Sequence, residues 1–367
     1  MFSNGVNLPL SSYNNMNNFN NNNNMSSGGL YPGNSMNKMP FYYNDPKAMQ
    51  MASALEDPHA QDSATPRRRI PADLSELTEL IEINANELQF DVEIGRGAYG
   101  TVYKARWCGH EVACKKFAKE DVDTTKAMQF IKEMQISSKA SNHPNIVRYY
   151  GFCQVPFCLV MEYMDGGSVQ EYLRHDKPQS IQISPLQRII IAKQAALGIK
   201  HLHDHKIVHR DIAARNLLMK DPRKGELHVV VSDFGMSQIL NEEPYIATYT
   251  TVGPLKWMAP EALNEQKYST KSDVYSFGIT LWELLTGQEP YADVDPVNTA
   301  VEVLVSQKRP KMYETIPPKI QKLMKRCWDS DPNTRPDFAE IIQILTKFID
   351  RAQKQQKRKQ NDSDDDD

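Results

Sequence analysis

One polar segment near the middle of the chain constrains the fold more than any other stretch. Asp211 and Asn216 lie five residues apart in it, and Asp233 follows about twenty residues later, behind an apolar run. Carboxylate and amide oxygens suit hard divalent cations, and a neighbouring carboxylate can serve as a base. We therefore expect a turn that holds metal ions beside a base. The two stretches read Ile207-Val208-His209-Arg210-Asp211-Ile212-Ala213-Ala214-Arg215-Asn216 and Val229-Val230-Val231-Ser232-Asp233-Phe234-Gly235.

A glycine-rich hairpin is predicted upstream of this segment. Alternating apolar residues predict one strand before and one strand after the hexapeptide Gly95-Arg96-Gly97-Ala98-Tyr99-Gly100. Glycines in such a turn let backbone N–H groups approach phosphate oxygens without obstruction by side chains. A dinucleotide-binding fold places a helix after this pattern, whereas a strand follows here. The hairpin therefore favours a phosphate contact of another kind.

A lysine in the next strand is expected to point inward. Lys115 lies on the same face as Ala113 in the run Glu111 to Lys116. An unpaired buried charge is costly, so this lysine requires an anionic partner. The helical stretch Lys126 to Lys139 offers Glu133 on its middle turn. The alternative is that both side chains are surface charges.

Composition excludes several classes of protein. A net charge of -3 gives no global reason to expect binding to nucleic acid or to an anionic membrane. The five cysteines are scattered and form no CxxC pair, which disfavours a disulfide framework or a zinc site. No signal peptide or long apolar span is visible. We expect a cytoplasmic protein without integral membrane association, with nuclear entry through Arg67-Arg68-Arg69 as an alternative.

The two ends of the chain differ in composition from its centre. Asn occupies 14 of the first 44 positions, which predicts a disordered segment over residues 1–66. Residues 67–87 read as a linker in which Leu74, Leu77, Leu80 and Ile81 predict a short amphipathic helix from Asp73 to Glu82. Basic residues followed by an aspartate run predict a disordered tail over 351–367.

Taken in order, these motifs resemble those of eukaryotic protein kinases of the tyrosine kinase and tyrosine-kinase-like groups, over residues 88–350. The resemblance implies an α+β, two-lobed fold. A small N-lobe with an antiparallel sheet and one helix (88–161) is joined by a hinge (162–167) to a larger, mainly helical C-lobe (168–350). It also implies protein substrates, no nucleic-acid partner, ATP as cosubstrate, and Mg²⁺, with Mn²⁺ as the alternative ion.

The resemblance also assigns residues to ATP binding. The glycine hairpin and the strands around it form the roof of the site, and Met161 guards the deeper pocket behind the adenine. Ser168 is a candidate ribose contact. The full set is Ile94, Gly95, Gly97, Gly100, Val102, Ala113, Lys115, Glu133, Met161, Glu162, Met164, Ser168 and Leu218.

For catalysis, the resemblance makes Asp211 the base, with Lys115 and Arg215 as the other catalytic residues. Asn216 and Asp233 are the metal ligands. Three further residues, Asp273, Glu261 and Arg335, match family positions with architectural roles: Asp273 as the cap of a central helix, and the other two as a bridging pair.

Two features bear on which hydroxyl is phosphorylated. Serine/threonine kinases usually carry Lys two residues after the base, whereas this chain has Ala213 there and Arg215 two residues further on, as tyrosine kinases do. Pro254 stands where serine/threonine kinases have Thr. The segment that it begins resembles the substrate platform of tyrosine kinases. Both features favour tyrosine. Gly253 and the likeness to the tyrosine-kinase-like group keep serine/threonine and dual specificity open.

The segment between Gly235 and Ala259 offers regulatory hydroxyls. Tyr245 is the first expected phosphorylation site, and Tyr249 and Thr251 are further candidates; Arg210 is the expected partner of a phosphate there.

One departure concerns Ser137, four residues after Glu133, where the family usually has an apolar side chain. We expect weaker packing there, or a shift of helical register near Ser137. A catalytically silent scaffold is the rival hypothesis to an active enzyme.

Overall fold

The computed structural model describes residues 81–97, 100–117, 124–174, 182–240, 245–247 and 254–364. The chain divides into two units, Met1–Asp62 and Ser63–Asp367, and every described residue belongs to the second unit. In this unit an antiparallel sheet with one helix precedes a mainly helical region, so the predicted α+β, two-lobed fold is confirmed. The Asn-rich residues 1–66 lie outside the described residues.

Six strands form the N-lobe sheet. They are β1 (Ile81–Glu82), β2 (Leu88–Gly97), β3 (Gly100–Trp107), β4 (His110–Lys116), β5 (Tyr149–Cys153) and β6 (Cys158–Glu162). Their order is β1-β5-β6-β4-β3-β2, antiparallel except for the parallel pair β1 and β5. Strand β4 is buried on both faces, because Val112 and Cys114 enter an outer apolar cluster and Ala113 enters the main core. This alternation turns Lys115 toward the interior.

The helix predicted from Asp73 to Glu82 is wrong at its end. Ile81 and Glu82 form strand β1, and Ile81 and Ile83 are buried in the outer cluster; residues 73–80 lie outside the described residues. The backbone hydrogen bonds of Ile81 and Glu82 are made with strand β5. The spacing of apolar residues within residues 73–82 gives no information on such a distant partner. The folded N-lobe therefore begins at least seven residues before the predicted boundary at Leu88.

Helix α1 (Thr124–Ala140) packs beside the sheet and matches the stretch predicted around Glu133. The alternative of a register shift near Ser137 is not observed, because the helix runs without a break from Thr124 to Ala140. Within it, the Ser137 hydroxyl donates a hydrogen bond to the Glu133 carbonyl, 2.6 Å away. Past the end of α1, the Ser141 hydroxyl accepts a hydrogen bond from the Tyr149 backbone N–H at 3.1 Å.

The C-lobe contains the remaining described helices and short strands. Ser184 caps α3 in a capping box with Gln187, and Pro185 starts the helix, as the sequence predicted. Helix α5 is buried along almost its whole length and forms the centre of this lobe. The helices are α2 (Val169–Leu173), α3 (Pro185–Asp204), α4 (Pro260–Asn264), α5 (Thr270–Thr286), α6 (Pro296–Val305), α7 (Pro318–Cys327) and α8 (Phe338–Asp364).

Short strands support the loops between these helices. Strands β7 (Gly167–Ser168), β9 (Leu217–Met219) and β10 (Val229–Val231) form a three-stranded sheet below the hinge. Strand β8 (Ile207–Val208) pairs with β11 (Gln238–Ile239), and β12 (Ile246–Ala247) pairs with β13 (Lys267–Tyr268). These pairs fix the positions of the segments before Asp211 and after Asp233.

The predicted disordered tail is wrong for residues 351–364, which continue α8. The tail is rich in Lys, Arg and Gln, which are strong helix formers, and an existing helix extends more easily than a new one nucleates. No helix in the described part of the chain is long and apolar enough to cross a membrane.

Candidate active site

The glycine hairpin forms between β2 and β3, with Gly97 opposite Gly100. A Cβ on Gly95 or Gly97 would meet no atom within 4 Å, so protein packing does not require glycine at either position. Gly100 differs, because its φ is 145° and a Cβ there would lie 2.5 Å from the Lys116 carbonyl oxygen. The first two glycines leave the backbone open to a ligand, whereas the third is required by the fold.

The predicted adenine-side residues lie along the strand edges and the hinge. Ala113 on β4 is the cross-strand partner of Met161 on β6. The Glu162 carboxylate pairs with Lys220 at 2.6 Å. Ile94 is exposed on β2, and Val102 on β3 is the cross-strand partner of Lys115. Met164 is buried just after β6, and Leu218 lies on β9.

Ser168 is engaged differently from the predicted ribose contact. Its hydroxyl accepts the Glu171 backbone N–H at 3.3 Å and lies 3.0 Å from the Glu171 carboxylate, which makes it the N-cap of α2. The side chain is therefore already used by the fold.

Lys115, Glu133 and Asp233 meet in the cleft between the lobes. The Lys115 Nζ lies 2.7 and 3.0 Å from the two Glu133 carboxylate oxygens and 2.9 Å from Asp233 Oδ1. Burial alone would lower the pKa of Lys115, but the two carboxylates outweigh it and raise that pKa above its ordinary value. Burial would likewise raise the pKa of Asp233, but Lys115 holds it below its ordinary value. The lysine and Asp233 are therefore both charged at neutral pH.

Asp211 and Asn216 lie in the predicted turn after β8. The Asp211 carboxylate pairs with the Arg215 guanidinium, which in turn lies 5.0 Å above the Trp257 ring. The Asn216 Nδ2 donates to the Asp211 carbonyl at 2.7 Å. That bond uses the amide nitrogen, so the Asn216 Oδ1 remains available as a ligand atom.

Buried carboxylates of α5 hold this turn in place. Asp273 accepts hydrogen bonds from the backbone N–H groups of His209 and Arg210, at 2.8 and 2.9 Å. The prediction of Asp273 as the helix cap is wrong, because Ser269 is the N-cap of α5 and Asp273 supports the Asp211 turn from the first turn of the helix. Glu283 and His203 were missed: Glu283 accepts the Ala214 N–H at 3.1 Å, and His203 Nε2 lies 2.8 Å from Asp273.

The C-lobe also contains the expected bridging pair. Arg335 donates from both terminal nitrogens to the Glu261 carboxylate, at 2.6 and 2.9 Å, and its side chain is fully buried. The fork geometry of a guanidinium matches a carboxylate in this way.

Of the predicted regulatory residues, only Tyr245 lies among the described residues; Tyr249 and Thr251 do not. Tyr245 is exposed and its ring lies 5.2 Å from the Lys267 Nζ. Arg210, the expected phosphate partner, places its guanidinium 3.9 Å above the Tyr268 ring. Burial, together with Arg210, lowers the pKa of Lys132 on α1 to about 8. Arg210 and Lys132 are thus two basic groups close enough to interact.

The donor set fits a hard divalent cation. Asp233 offers a charged carboxylate and Asn216 an amide oxygen. Within the described ranges no three His, Cys, Asp or Glu side chains converge as a metal cluster. Such a cluster is not needed where a nucleotide's phosphates supply the remaining oxygens.

Together, the glycine hairpin, the paired lysine and the Asp–Asn turn have the arrangement expected of a nucleotide-dependent phosphotransferase. The family model for protein tyrosine and serine/threonine kinases matches residues 88–345. The chain therefore belongs to the protein kinase family, whose members use ATP and a divalent metal ion.

Similar proteins carry several specificities in their names. The serine/threonine-protein kinase STY46 of Arabidopsis thaliana is 35% identical over 317 residues, which cover 86% of this chain and 53% of that protein. The serine/threonine/tyrosine-protein kinase HT1 of the same plant is 35% identical over 258 residues, or 69% of this chain and 64% of HT1. The tyrosine-protein kinase transforming protein Abl of Abelson murine leukemia virus is 36% identical over 276 residues, which cover 74% of this chain and 36% of that protein. The chain spans about half of STY46, and less of several other relatives.

Proposed function

We propose that this chain is an active protein kinase that transfers the γ-phosphate of ATP to protein hydroxyls. The contact of Lys115 with both Glu133 and Asp233 is the observation that carries the proposal. It joins three segments far apart in the sequence at the point where phosphates would enter beneath the glycine hairpin. A silent scaffold would have no need to keep these charges paired in a cleft, because each buried charge costs solvation.

Each polar group of the site has a proposed role. Asp211 orients the substrate hydroxyl and accepts its proton, and Arg215 holds the Asp211 carboxylate in position. Asn216 and Asp233 hold the divalent ion, which we propose to be Mg²⁺ with Mn²⁺ as the alternative. The ion neutralises charge on the phosphates when it is bound. Lys115 pairs with the inner phosphates, and the open backbone at Gly95 and Gly97 covers them.

We propose that adenine and ribose bind between the glycine hairpin and the hinge. Ile94, Val102, Ala113, Met161 and Leu218 are apolar residues suited to sandwich the base, and Glu162 and Met164 belong to the hinge. Ser168 is the weakest member, because its hydroxyl already caps α2. Gly100 contributes through the fold of the hairpin.

We further propose tyrosine as the favoured acceptor, with dual or serine/threonine specificity as the alternative. Arg215 stacks on Trp257, and Lys256 is anchored by Glu289 at 3.0 Å and by the Tyr291 carbonyl at 3.1 Å. These contacts fix the segment that follows Pro254. The names of STY46 and HT1 support the alternative, and the name of Abl supports tyrosine.

Regulation and location complete the proposal. Autophosphorylation at Tyr245, with Tyr249 and Thr251 as further sites, would add negative charge near Arg210, Lys132 and Lys267. The protein would act in cytoplasmic signalling, with nuclear entry as the alternative. The catalytic domain would span residues 88–350 together with the strand at Ile81, and no nucleic acid would be bound.

Incubation of the purified chain with labelled ATP and Mg²⁺ tests the proposal. We expect Asp211→Asn to reduce phosphate incorporation by about 10²–10⁴-fold, because the proton acceptor is lost. Asp204→Asn is the matched control, since Asp204 is exposed and pairs with Lys200 on the same helix. Hydrolysis of the labelled protein to phosphoamino acids reports the acceptor. Equal incorporation in Asp211→Asn and the native chain would refute kinase activity, and labelled phosphoserine or phosphothreonine alone would refute the tyrosine preference.

A further inference from the structure

Asn145 joins the segment between α1 and β5 to the C-lobe. The Asn145 Nδ2 donates to the Val229 carbonyl at 2.9 Å, and the Asn145 carbonyl accepts the Val231 N–H at 2.9 Å. Strand β10 ends at Val231, just before the segment that carries Asp233. Asn145 therefore links the end of α1, the helix that carries Glu133, to the strand that leads to Asp233.

The backbone N–H of Asn145 depends on a histidine. It donates to His143 Nδ1 at 3.0 Å, and Asn145 is buried, with 6% of its surface exposed. Only a neutral imidazole with its proton on Nε2 can accept this bond, because Nδ1 carries a hydrogen in the protonated ring. Protonation of His143 would thus leave a buried N–H without its acceptor and turn a second N–H toward it.

Two further imidazoles extend from His143 along the end of α3. The His143 and His201 rings are stacked with their centroids 4.7 Å apart, and the His201 and His205 centroids are 4.3 Å apart. A positive charge on one ring is therefore close to its neighbour. His205 differs from the other two, because it is exposed and its Nδ1 donates to the His201 carbonyl at 2.8 Å. A protonated His205 keeps this bond.

The surroundings of His143 favour its neutral form. Burial lowers the pKa of His143 below its ordinary 6.5, His201 lowers it further, and Asp204 acts in the opposite direction. Just below pH 6.5 the folded chain therefore binds fewer protons at His143 than the unfolded chain does. Stability decreases as the pH falls through this range.

His201 is subject to the same balance. Burial lowers its pKa, and the neighbouring charges of His205 and Lys200 lower it further, whereas the Ala140 carbonyl and Asp204 raise it. The net effect is again a lowered pKa, so both stacked rings are neutral at neutral pH. In acid each ring opposes the protonation of the other.

We propose that His143, stacked on His201, is an acid-sensitive contact that lowers kinase activity reversibly under mildly acidic conditions. The inference rests on the proposed kinase function. At neutral pH the uncharged His143 accepts the Asn145 N–H, and α1 stays linked to β10. In acid that hydrogen bond is lost, so the link loosens and the contact of Lys115 with Glu133 and Asp233 weakens.

Two variants test the proposal through the pH dependence of kcat for a peptide substrate at saturating ATP. His143→Asn offers its Oδ1 to the N–H two residues later, as in an Asx-turn, and does not titrate. We expect kcat to fall about fivefold or more between about pH 7.5 and about pH 5.5 in the native chain, and about twofold or less in His143→Asn. His205→Gln is the matched control and should follow the native chain, because protonation of His205 breaks no hydrogen bond.

Amide hydrogen exchange at Asn145 separates this contact from general acid denaturation. Protection of this amide, relative to the unfolded chain at each pH, should fall about tenfold or more between about pH 7.5 and about pH 5.5 in the native chain, and about threefold or less in His143→Asn. The exchange measurement does not depend on activity. A native chain no more active than Asp211→Asn would thus refute the proposed function, while exchange would still test the contact.

Reversibility completes the test. Activity should return when the native chain is brought back to neutral pH, and circular dichroism should show a folded chain at both pH values. An equal acid loss in the native chain and His143→Asn, unchanged protection of Asn145, or activity that does not return would overturn the inference. His143→Ser, whose hydroxyl can accept the same N–H, replaces His143→Asn if the latter does not fold.

Discussion

Arg210 and Asp233 adopt left-handed backbone conformations, with φ angles of 69° and 63°. Such conformations cost about 1–3 kcal/mol in residues other than glycine and persist where the surroundings hold them. At Arg210 the support comes from Asp273, whose carboxylate accepts hydrogen bonds from the backbone N–H groups of His209 and Arg210. At Asp233 it comes from Lys115 and from the Gly235 N–H, which lies 3.3 Å from the carboxylate. Strain is thus stored at Arg210, next to the base, and at Asp233, a proposed metal ligand.

Lys132 provides a pH-dependent test at the scale of one residue. Its pKa in the folded chain is about 8, lowered from the ordinary 10.5 mainly by burial and further by Arg210. The unfolded chain therefore binds more protons between pH 8 and 10.5, and stability rises with pH across that window. We expect Lys132→Met to raise the free energy of unfolding at pH 7 by about 1–3 kcal/mol, with the gain shrinking toward pH 10.

Chemical denaturation at several pH values measures this effect. Lys139→Met is the matched control, because Lys139 lies on the same helix and is exposed. A Lys132→Met variant that is less stable than the native chain at pH 7 would contradict the expected cost of this charge.

At the scale of secondary-structure elements, sequence patterns predicted best where a signal is local. The helix α3 was readable from Ser184 and Pro185, and the hairpin between β2 and β3 from its glycines. Strand β1 was not readable, because its two residues are ordered by pairing with β5, about seventy positions later.

Within the site, the motif residues could be placed from sequence, but their supports could not. Lys115, Glu133 and Asp233 were recognisable, and the structure brings them together. Glu283 and His203 carried no signal beyond being polar residues in apolar helices. The backbone strain at Arg210 depends on contacts from α5 and cannot be inferred from local propensity.

Gly151 tests the docking of strand β1. A Cβ at this position would lie 2.2 Å from the Ile81 carbonyl oxygen and 2.8 Å from an Ile83 side-chain carbon. Backbone cannot move aside cheaply, so we expect Gly151→Ala to displace β1 and to expose part of the outer apolar cluster, at a cost of about 2 kcal/mol. Gly225→Ala is the control, because a Cβ there meets nothing within 4 Å.

Amide hydrogen exchange reports this displacement directly. The Ile83 N–H donates to the Phe152 carbonyl at 2.8 Å, so its exchange should accelerate in Gly151→Ala and stay slow in Gly225→Ala. Unchanged protection at Ile83, with the fold intact, would show that β1 tolerates the added methyl group.

At the scale of the whole molecule, buried ion pairs join segments that are distant in the sequence. Lys115 and Glu133 connect the sheet to α1, and Glu261 and Arg335 connect the start of α4 to the segment between α7 and α8. Such pairs do not contribute stability in proportion to their number, because burial of each charge is costly. When one partner of such a pair is replaced, the other is left as a buried charge without a counter-charge. The stability of one segment therefore depends on residues in a distant segment.

The Glu261–Arg335 pair allows this dependence to be measured against a surface pair with the same chemistry. Arg326 binds Glu340 through two nitrogens, at 2.5 and 3.0 Å, but both side chains are about 40% exposed, whereas Arg335 is fully buried. Lysine keeps the positive charge but lacks the forked guanidinium that binds both carboxylate oxygens. Arg335→Lys should therefore lower the free energy of unfolding by about 3 kcal/mol, and Arg326→Lys by less than about 1 kcal/mol. Denaturant unfolding measures both variants under the same conditions. Equal costs at the two sites would mean that burial does not govern the strength of these pairs, and that the segment after Pro260 is held by apolar packing instead.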